Sequence, residues 1–150
     1  MGIESNLDDV VHWFRKGAEQ GNSSAQYLLG SLYFRGEGVA EDKVQAANWY
    51  REAAEQGSAL AQNELGAMYE NGVGVSNEDT EAVKWYRMAA EQGLVDAQYN
   101  LATMYAEGEG VLKDTSKAKK LYESAAQQGN FDSPNNLGTM YLQGIDVTRN

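Results

Sequence analysis

Apolar residues recur through most of the chain at steps of three and four, the spacing of helices that bury one face. Leu7, Val10, Val11, Phe14 and Ala18 form the first such stripe, and predict a helix starting near Asn6 and stopping at Gln20-Gly21, where glycine supplies a left-handed helix end. Ser5-Asn6-Leu7-Asp8 ahead of it has the form of a capping box. A second helix, from about Ser23 to Arg35, follows Asn22 as its cap and turns Ala25, Leu29, Leu32 and Tyr33 inward before Gly36. Three later helices, from about Asp42 to Glu55, Asp79 to Glu91 and Thr115 to Gln127, share one stripe. It reads Ala46, Trp49, Tyr50, Ala53, Ala54, then Ala82, Trp85, Tyr86, Ala89, Ala90, then Ala118, Leu121, Tyr122, Ala125, Ala126.

The sharing has a period. Shifted by 36, Gly57 falls on Gly93, Leu65 on Leu101, Tyr69 on Tyr105, Gly72 on Gly108 and Tyr86 on Tyr122, and residues 57–92 match 93–128 at 15 of 36 positions. Such self-similarity marks a helical repeat array. Gly36-Glu37-Gly38-Val39 recurs as Gly72-Val73-Gly74-Val75 and Gly108-Glu109-Gly110-Val111, a turn with two permissive backbone positions and one apolar pin. Asp42, Glu78 and Asp114 follow where each second helix starts and its dipole favours negative charge. Gly30, Gly66 and Gly138 weaken their helices, and close packing between paired helices is the expected compensation. Phe14 and Ala18 align with Tyr50 and Ala54, so the opening helix is the second of a pair. The expected fold is all-α, a single domain over 1–150 with eight helices and a half repeat at each end, the last helix running from about Phe131 to Gln143.

Composition narrows the function. With 42% hydrophobic and 23% charged residues the chain can bury a core. Its net charge of -10 disfavours nucleic acid and anionic membrane surfaces as partners. There is no cysteine and one histidine, His12, so neither a disulfide framework nor a zinc site is expected. Glu4, Asp8 and Asp9 stand where a signal peptide needs a basic start, giving a cytoplasmic expectation, or a periplasmic one if a leader has been removed.

Candidate catalytic groups carry little. His12 reads as a surface residue. Ser116-Lys117-Ala118-Lys119 has the S-x-x-K spacing of serine penicillin-recognising enzymes, in which lysine helps activate the serine, but the partner motifs S-D-N and K-T-G are missing. Gly36 and Gly38 follow a helix rather than a strand, and lack the third glycine and the lysine of a phosphate cradle. Glu41-Asp42, Glu78-Asp79 and Glu107/Glu109 lack calcium-loop spacing and read as helix-start and solvated charges. Trp13, Trp49 and Trp85 recur at one period and read as packing residues. No enzyme activity, cofactor or metal is expected.

The combined motif, A-x-x-x-L-G-x-x-Y-x-x-G-x-G-V, an acidic residue, then A-x-x-W-Y-x-x-A-A-x-Q-G, resembles the Sel-one-like repeat family, relatives of the tetratricopeptide repeats with a longer turn between helices. The likeness runs from about Asp8 to Val147, with the second turn glycine lost at Gly144-Ile145-Asp146-Val147. It implies a right-handed superhelical solenoid of antiparallel helix pairs, acting as an adaptor or scaffold that holds other proteins. The alternative is an immunity protein that inhibits a cognate bacterial toxin, its acidic surface steering towards a basic site. In such a solenoid the non-recurring residues of the first helices line the concave face. They include Tyr27, Ser31, Phe34 and Arg35, then Asn63, Glu70 and Asn71, then Tyr99 and Thr103, then Asn135. Tyrosine and asparagine join apolar area to hydrogen-bonding groups, a mixture suited to gripping a partner protein. The acidic surface favours a basic partner, and the chain is expected to be a monomer or to self-associate weakly.

Overall fold

Seven helices occupy the described residues, 3–128, of the computed structural model: α1 (Ile3–Glu19), α2 (Ser23–Arg35), α3 (Lys43–Glu55), α4 (Ala59–Asn71), α5 (Asp79–Glu91), α6 (Val95–Glu107) and α7 (Thr115–Gln127). No strand occurs among these residues, and the fold is all-α. The expected bounds of α2, α3, α5 and α7 hold to within a residue. α1 differs: it begins at Ile3 rather than near Asn6, which puts Ser5 inside the helix. A capping preference of about 1 kcal/mol does not stop a helix whose upstream residues continue it. The eighth expected helix lies outside the described residues.

Three-residue links, 20–22, 56–58 and 92–94, alternate with seven-residue turns, 36–42, 72–78 and 108–114. Links this short join antiparallel neighbours. The chain divides into two compact units, Met1–Glu78 and Asp79–Asn150. In the first, α1 packs on α2, α2 on α3 and α3 on α4; in the second, α5 packs on α6 and α6 on α7.

The short links create a chemical demand. The last four carbonyls of a helix have no intrahelical donor. The link glycines Gly21, Gly57 and Gly93 donate their amides to Ala18 (3.0 Å), Ala54 (3.0 Å) and Ala90 (2.9 Å). Gln26, Gln62 and Gln98, the buried polar side chains among the described residues, supply a second donor to the same carbonyls. Their Nε2 groups donate to the carbonyls of Ala18 (3.1 Å), Ala54 (3.1 Å) and Ala90 (3.4 Å) in the last turns of α1, α3 and α5. Gln56 in turn donates to Gln26 Oε1 at 2.7 Å, and Gln128 to Gln98 Oε1 at 3.0 Å. A second clasp recurs across the same three helix pairs. Arg15 donates to the Tyr33 hydroxyl at 2.8 Å, Arg51 to that of Tyr69, and Arg87 to that of Tyr105 at 3.0 Å.

Across the α2–α3 pair the contact is closer. Ala46, Ala53 and Ala54 are fully buried, and a Cβ added at Gly30 would meet the Tyr50 ring at 2.9 Å and the Ala46 carbonyl at 3.3 Å. That is the close packing expected of this glycine; Gly66 is buried, and Gly138 lies outside the described residues. The long turns are fixed by hydrogen bonds, with the amides of Asp42, Glu78 and Asp114 donating to the carbonyls of Tyr33 (2.9 Å), Tyr69 (3.0 Å) and Tyr105 (3.0 Å). Asp42 and Asp114 do more than balance a dipole. Their side chains cap α3 and α7 by accepting from the amides of Gln45 and Lys117, each at 3.0 Å. Gly74 and Gly110 adopt positive φ, and a Cβ there would collide with the carbonyls of Lys43 and Asp79 respectively.

The tryptophans divide. Trp85 is 5% exposed, and Trp49 packs with Phe14 and Tyr33 against the core of Val11, Ala18 and Leu29. Trp13 is 64% exposed, contrary to its expected packing role, and Val10 of the expected stripe is also exposed. Trp49 has α1 and α2 beside it in the first unit.

Two stability measurements test this account. Gly30→Leu is expected to cost roughly 1–3 kcal/mol or more by forcing the α2–α3 pair apart, and an unchanged denaturation midpoint would refute the close packing. Gln26→Leu removes the side-chain donor to the Ala18 carbonyl, which keeps the Gly21 amide at 3.0 Å, and the Oε1 acceptor of the Gln56 amide, an expected loss of about 0.5–1.5 kcal/mol. If urea unfolding shows Gln26→Leu to be as stable as the parent, the glutamine clasp is incidental.

Candidate partner-binding surface

Nine of the ten candidate binding residues are described, and Asn135 lies outside the described residues. In the first unit, Tyr27, Ser31, Phe34, Asn63 and Glu70 are half-buried, while Arg35 and Asn71 are exposed. In the second, Tyr99 and Thr103 are half-buried.

The polar groups among them divide between internal and outward duties. Ser31 donates its hydroxyl proton to the Tyr27 carbonyl at 3.1 Å, so the 3.0 Å contact with Tyr50 is one in which Ser31 accepts. Thr103 repeats the arrangement, donating to the Tyr99 carbonyl at 3.2 Å and accepting from Tyr122 at 2.8 Å. The rings of Tyr27 and Tyr50 lie 5.7 Å apart, as do those of Tyr99 and Tyr122. Burial pushes the Tyr50 hydroxyl up to about 12 despite the bond with Ser31, so it remains a neutral donor through the ordinary pH range. Burial and then the nearby Glu64 carboxylate raise Tyr27 in the same direction. The hydroxyl oxygens of Ser31 and Thr103, accepting from Tyr50 and Tyr122, thus hold helix pairs together, and the tyrosine rings beside them carry the surface character.

Phe34 and Asn71 come together. The two residues, on α2 and α4, line one depression of about 70 Å³ with Glu64, Ala67, Met68 and Val73. Lys43 covers one side of Phe34, its Nζ 3.7 Å from the ring centre, donating to the Phe34 carbonyl at 2.6 Å and pairing with Glu41 at 3.2 Å. Asn71 is steadied by donation to the Ala67 carbonyl at 2.9 Å, and the Glu70 carbonyl accepts from Asn77 at 2.6 Å. Arg35 stays at the exposed end of α2.

The weaker candidates stay apart. His12 is exposed, its ring edge-on to Trp13 at 5.8 Å, and Ser116 is exposed at the start of α7. Among the described residues no group of three or more His, Asp or Glu side chains is placed to hold a metal ion. No helix among them is long and apolar enough to cross a membrane. The glutamine and arginine–tyrosine clasps escaped the sequence reading, although a polar residue recurring with period 36 at an inward register was a usable sign of both.

Sel1 repeat units match residues 10–22, 23–58, 59–94, 95–130 and 135–150. Among solved structures, c5321, a protective antigen of uropathogenic Escherichia coli strains displaying an SLR fold, is 48% identical with a TM-score of 0.87 over 93% of this chain and 30% of its own. A Sel1 repeat protein from Oxalobacter formigenes is 43% identical with a TM-score of 0.79 over 86% of this chain and 53% of its own. This chain therefore spans about a third to a half of those relatives. Helicobacter pylori cysteine rich protein B (hcpB) shares the fold, with a TM-score of 0.69 at 23% identity over 89% of this chain and 96% of its own. No curated protein matches the sequence. With repeat units spanning nearly its whole length, the chain belongs to the Sel1 repeat family.

Proposed function

We propose that the chain is a non-catalytic adaptor that binds a partner protein through the first-helix surface of its first unit, containing Tyr27, Phe34, Arg35, Asn63 and Asn71. Sel1 repeat proteins are in general protein-interaction modules. The observation that supports this placement is the depression shared by Phe34 and Asn71. Small-molecule pockets occupy about 300–1,000 Å³, whereas this one, at about 70 Å³, suits a single side chain of a larger partner. An aromatic wall, an amide and a carboxylate offer that side chain both apolar contact and polar orientation. The net charge of -10 favours a partner with a basic surface.

Affinity capture from the native cell, followed by direct binding of the retained protein, provides the test. Asn71→Arg and Arg35→Glu, at exposed positions, are expected to weaken binding by about tenfold or more with helicity intact. Glu37→Gln and Glu109→Gln, on the turn edge, should change it little at physiological salt. The reverse pattern would move the site to the turn edge. For a basic partner, raising salt should slow association more than it speeds release, and an association rate independent of salt would remove electrostatic steering.

A further inference from the structure

Trp49 of α3 and Trp85 of α5 occupy one register position, and α7 places Leu121 there. In the first unit Trp49 lies against the Val11–Ala18–Leu29 core. In the second, Leu121 lines an open cavity of about 330 Å³ bounded by α5, α6 and α7, with Leu101 and Tyr105 of α6 also lining it.

The same stretch changes the charge of the rim. Arg87 of α5 and Lys117 and Lys120 of α7 line the cavity, against one carboxylate, Glu91. Lys117 replaces Gln45 and Glu81 of the earlier repeats, and Lys120 replaces Asn48 and Lys84. The cavity beside Trp49, about 380 Å³, is lined by Glu19, Gln45, Asn48 and Glu52 and has no cation in its lining. The two rims thus differ in sign within a chain of net charge -10. Two of the cations are positioned by Tyr105: Arg87 donates to its hydroxyl at 3.0 Å, and Lys117 Nζ lies 5.4 Å from its ring centre. A guanidinium has five N–H donors, so that bond leaves others able to meet a carboxylate.

We propose that this cavity is a second docking site, taking an aromatic side chain flanked by carboxylates on an acidic segment of a partner protein. The aromatic group occupies the cavity, against Leu101, Leu121 and the Tyr105 ring. Carboxylates on either side of it meet Arg87 on α5 and the two lysines on α7. Cations on two different helices favour a polypeptide, which carries charge on both sides of an inserted residue. The site uses other residues than the first-helix surface and stands independently of it.

The probe is a fluorescein-labelled Glu-Asp-Trp-Asp-Glu peptide, its binding to the full chain followed by fluorescence polarisation at physiological salt. Saturable binding is expected, weakened by about tenfold or more when serines replace the peptide's acids or alanine replaces its tryptophan. Leu121→Trp, which places an indole in the cavity, should weaken binding by about tenfold or more. Lys120→Glu, at an exposed position, should weaken binding by about tenfold or more and keeps the test intact if Leu121→Trp perturbs folding. Asn71→Arg should leave binding unchanged. Absence of saturable binding, indifference to Lys120→Glu, or equal binding of the alanine peptide would overturn the proposal. So would concentration-dependent self-association that Leu121→Trp removes, since the occupant would then be a second copy of this chain.

Discussion

A glutamine amide on a helix-end carbonyl is the contact on which the other packing depends. With only three residues between α1 and α2, α3 and α4, or α5 and α6, the chain must reverse where the last carbonyls have lost their helical donors, and the link glycine amides supply one bond each to Ala18, Ala54 and Ala90. Water can satisfy such groups only by holding the helices apart. Gln26, Gln62 and Gln98 reach back to Ala18, Ala54 and Ala90 and close the junction dry. Beside these junctions Ala53 and Ala54 are fully buried, and their small side chains let neighbouring helices approach closely.

The same economy of polar groups separates structural from recognition roles. Tyr33, Tyr69 and Tyr105 engage arginines across one kind of helix pair, and Tyr50 and Tyr122 engage Ser31 and Thr103 across the other. What is left for a partner is ring surface and the exposed side chains at helix ends, which is why Phe34, Arg35 and Asn71 bear more of the proposed recognition than the hydroxyls. It is a surface whose shape is inherited from the repeat and whose chemistry belongs to this chain.

Period and glycine placement made the helix order and most boundaries legible, because each link and turn has its own backbone signature. The start of α1 was less so, since one serine-led cap competes with residues that are themselves helix-compatible. Trp13 shows the limit of reading by register. Its position matches Trp49 and Trp85, but burial depends on a neighbouring helix, which periodicity cannot supply. In the candidate surface, sequence separated recurring from non-recurring residues and so brought out Phe34 and Asn71. It could not show that they share a depression or that Ser31 is spent on Tyr50, because both depend on side-chain direction. The basic rim of the Leu121 cavity had a visible sign in Lys117, where the earlier repeats carry Gln45 and Glu81, and its volume required the packed helices.

The seats of Gly74 on Lys43 and of Gly110 on Asp79 bear on how such chains change. These two turns rest on a main-chain carbonyl at the start of a second helix, an atom present whatever the residue. The first long turn differs, since a Cβ at Gly38 would meet the Val11 side chain at 2.8 Å, and that joint does read the receiving helix. Where the seat is main chain alone, a duplicated or exchanged repeat has one position fewer to re-match with its neighbour, which eases assembly of a new surface by recombination.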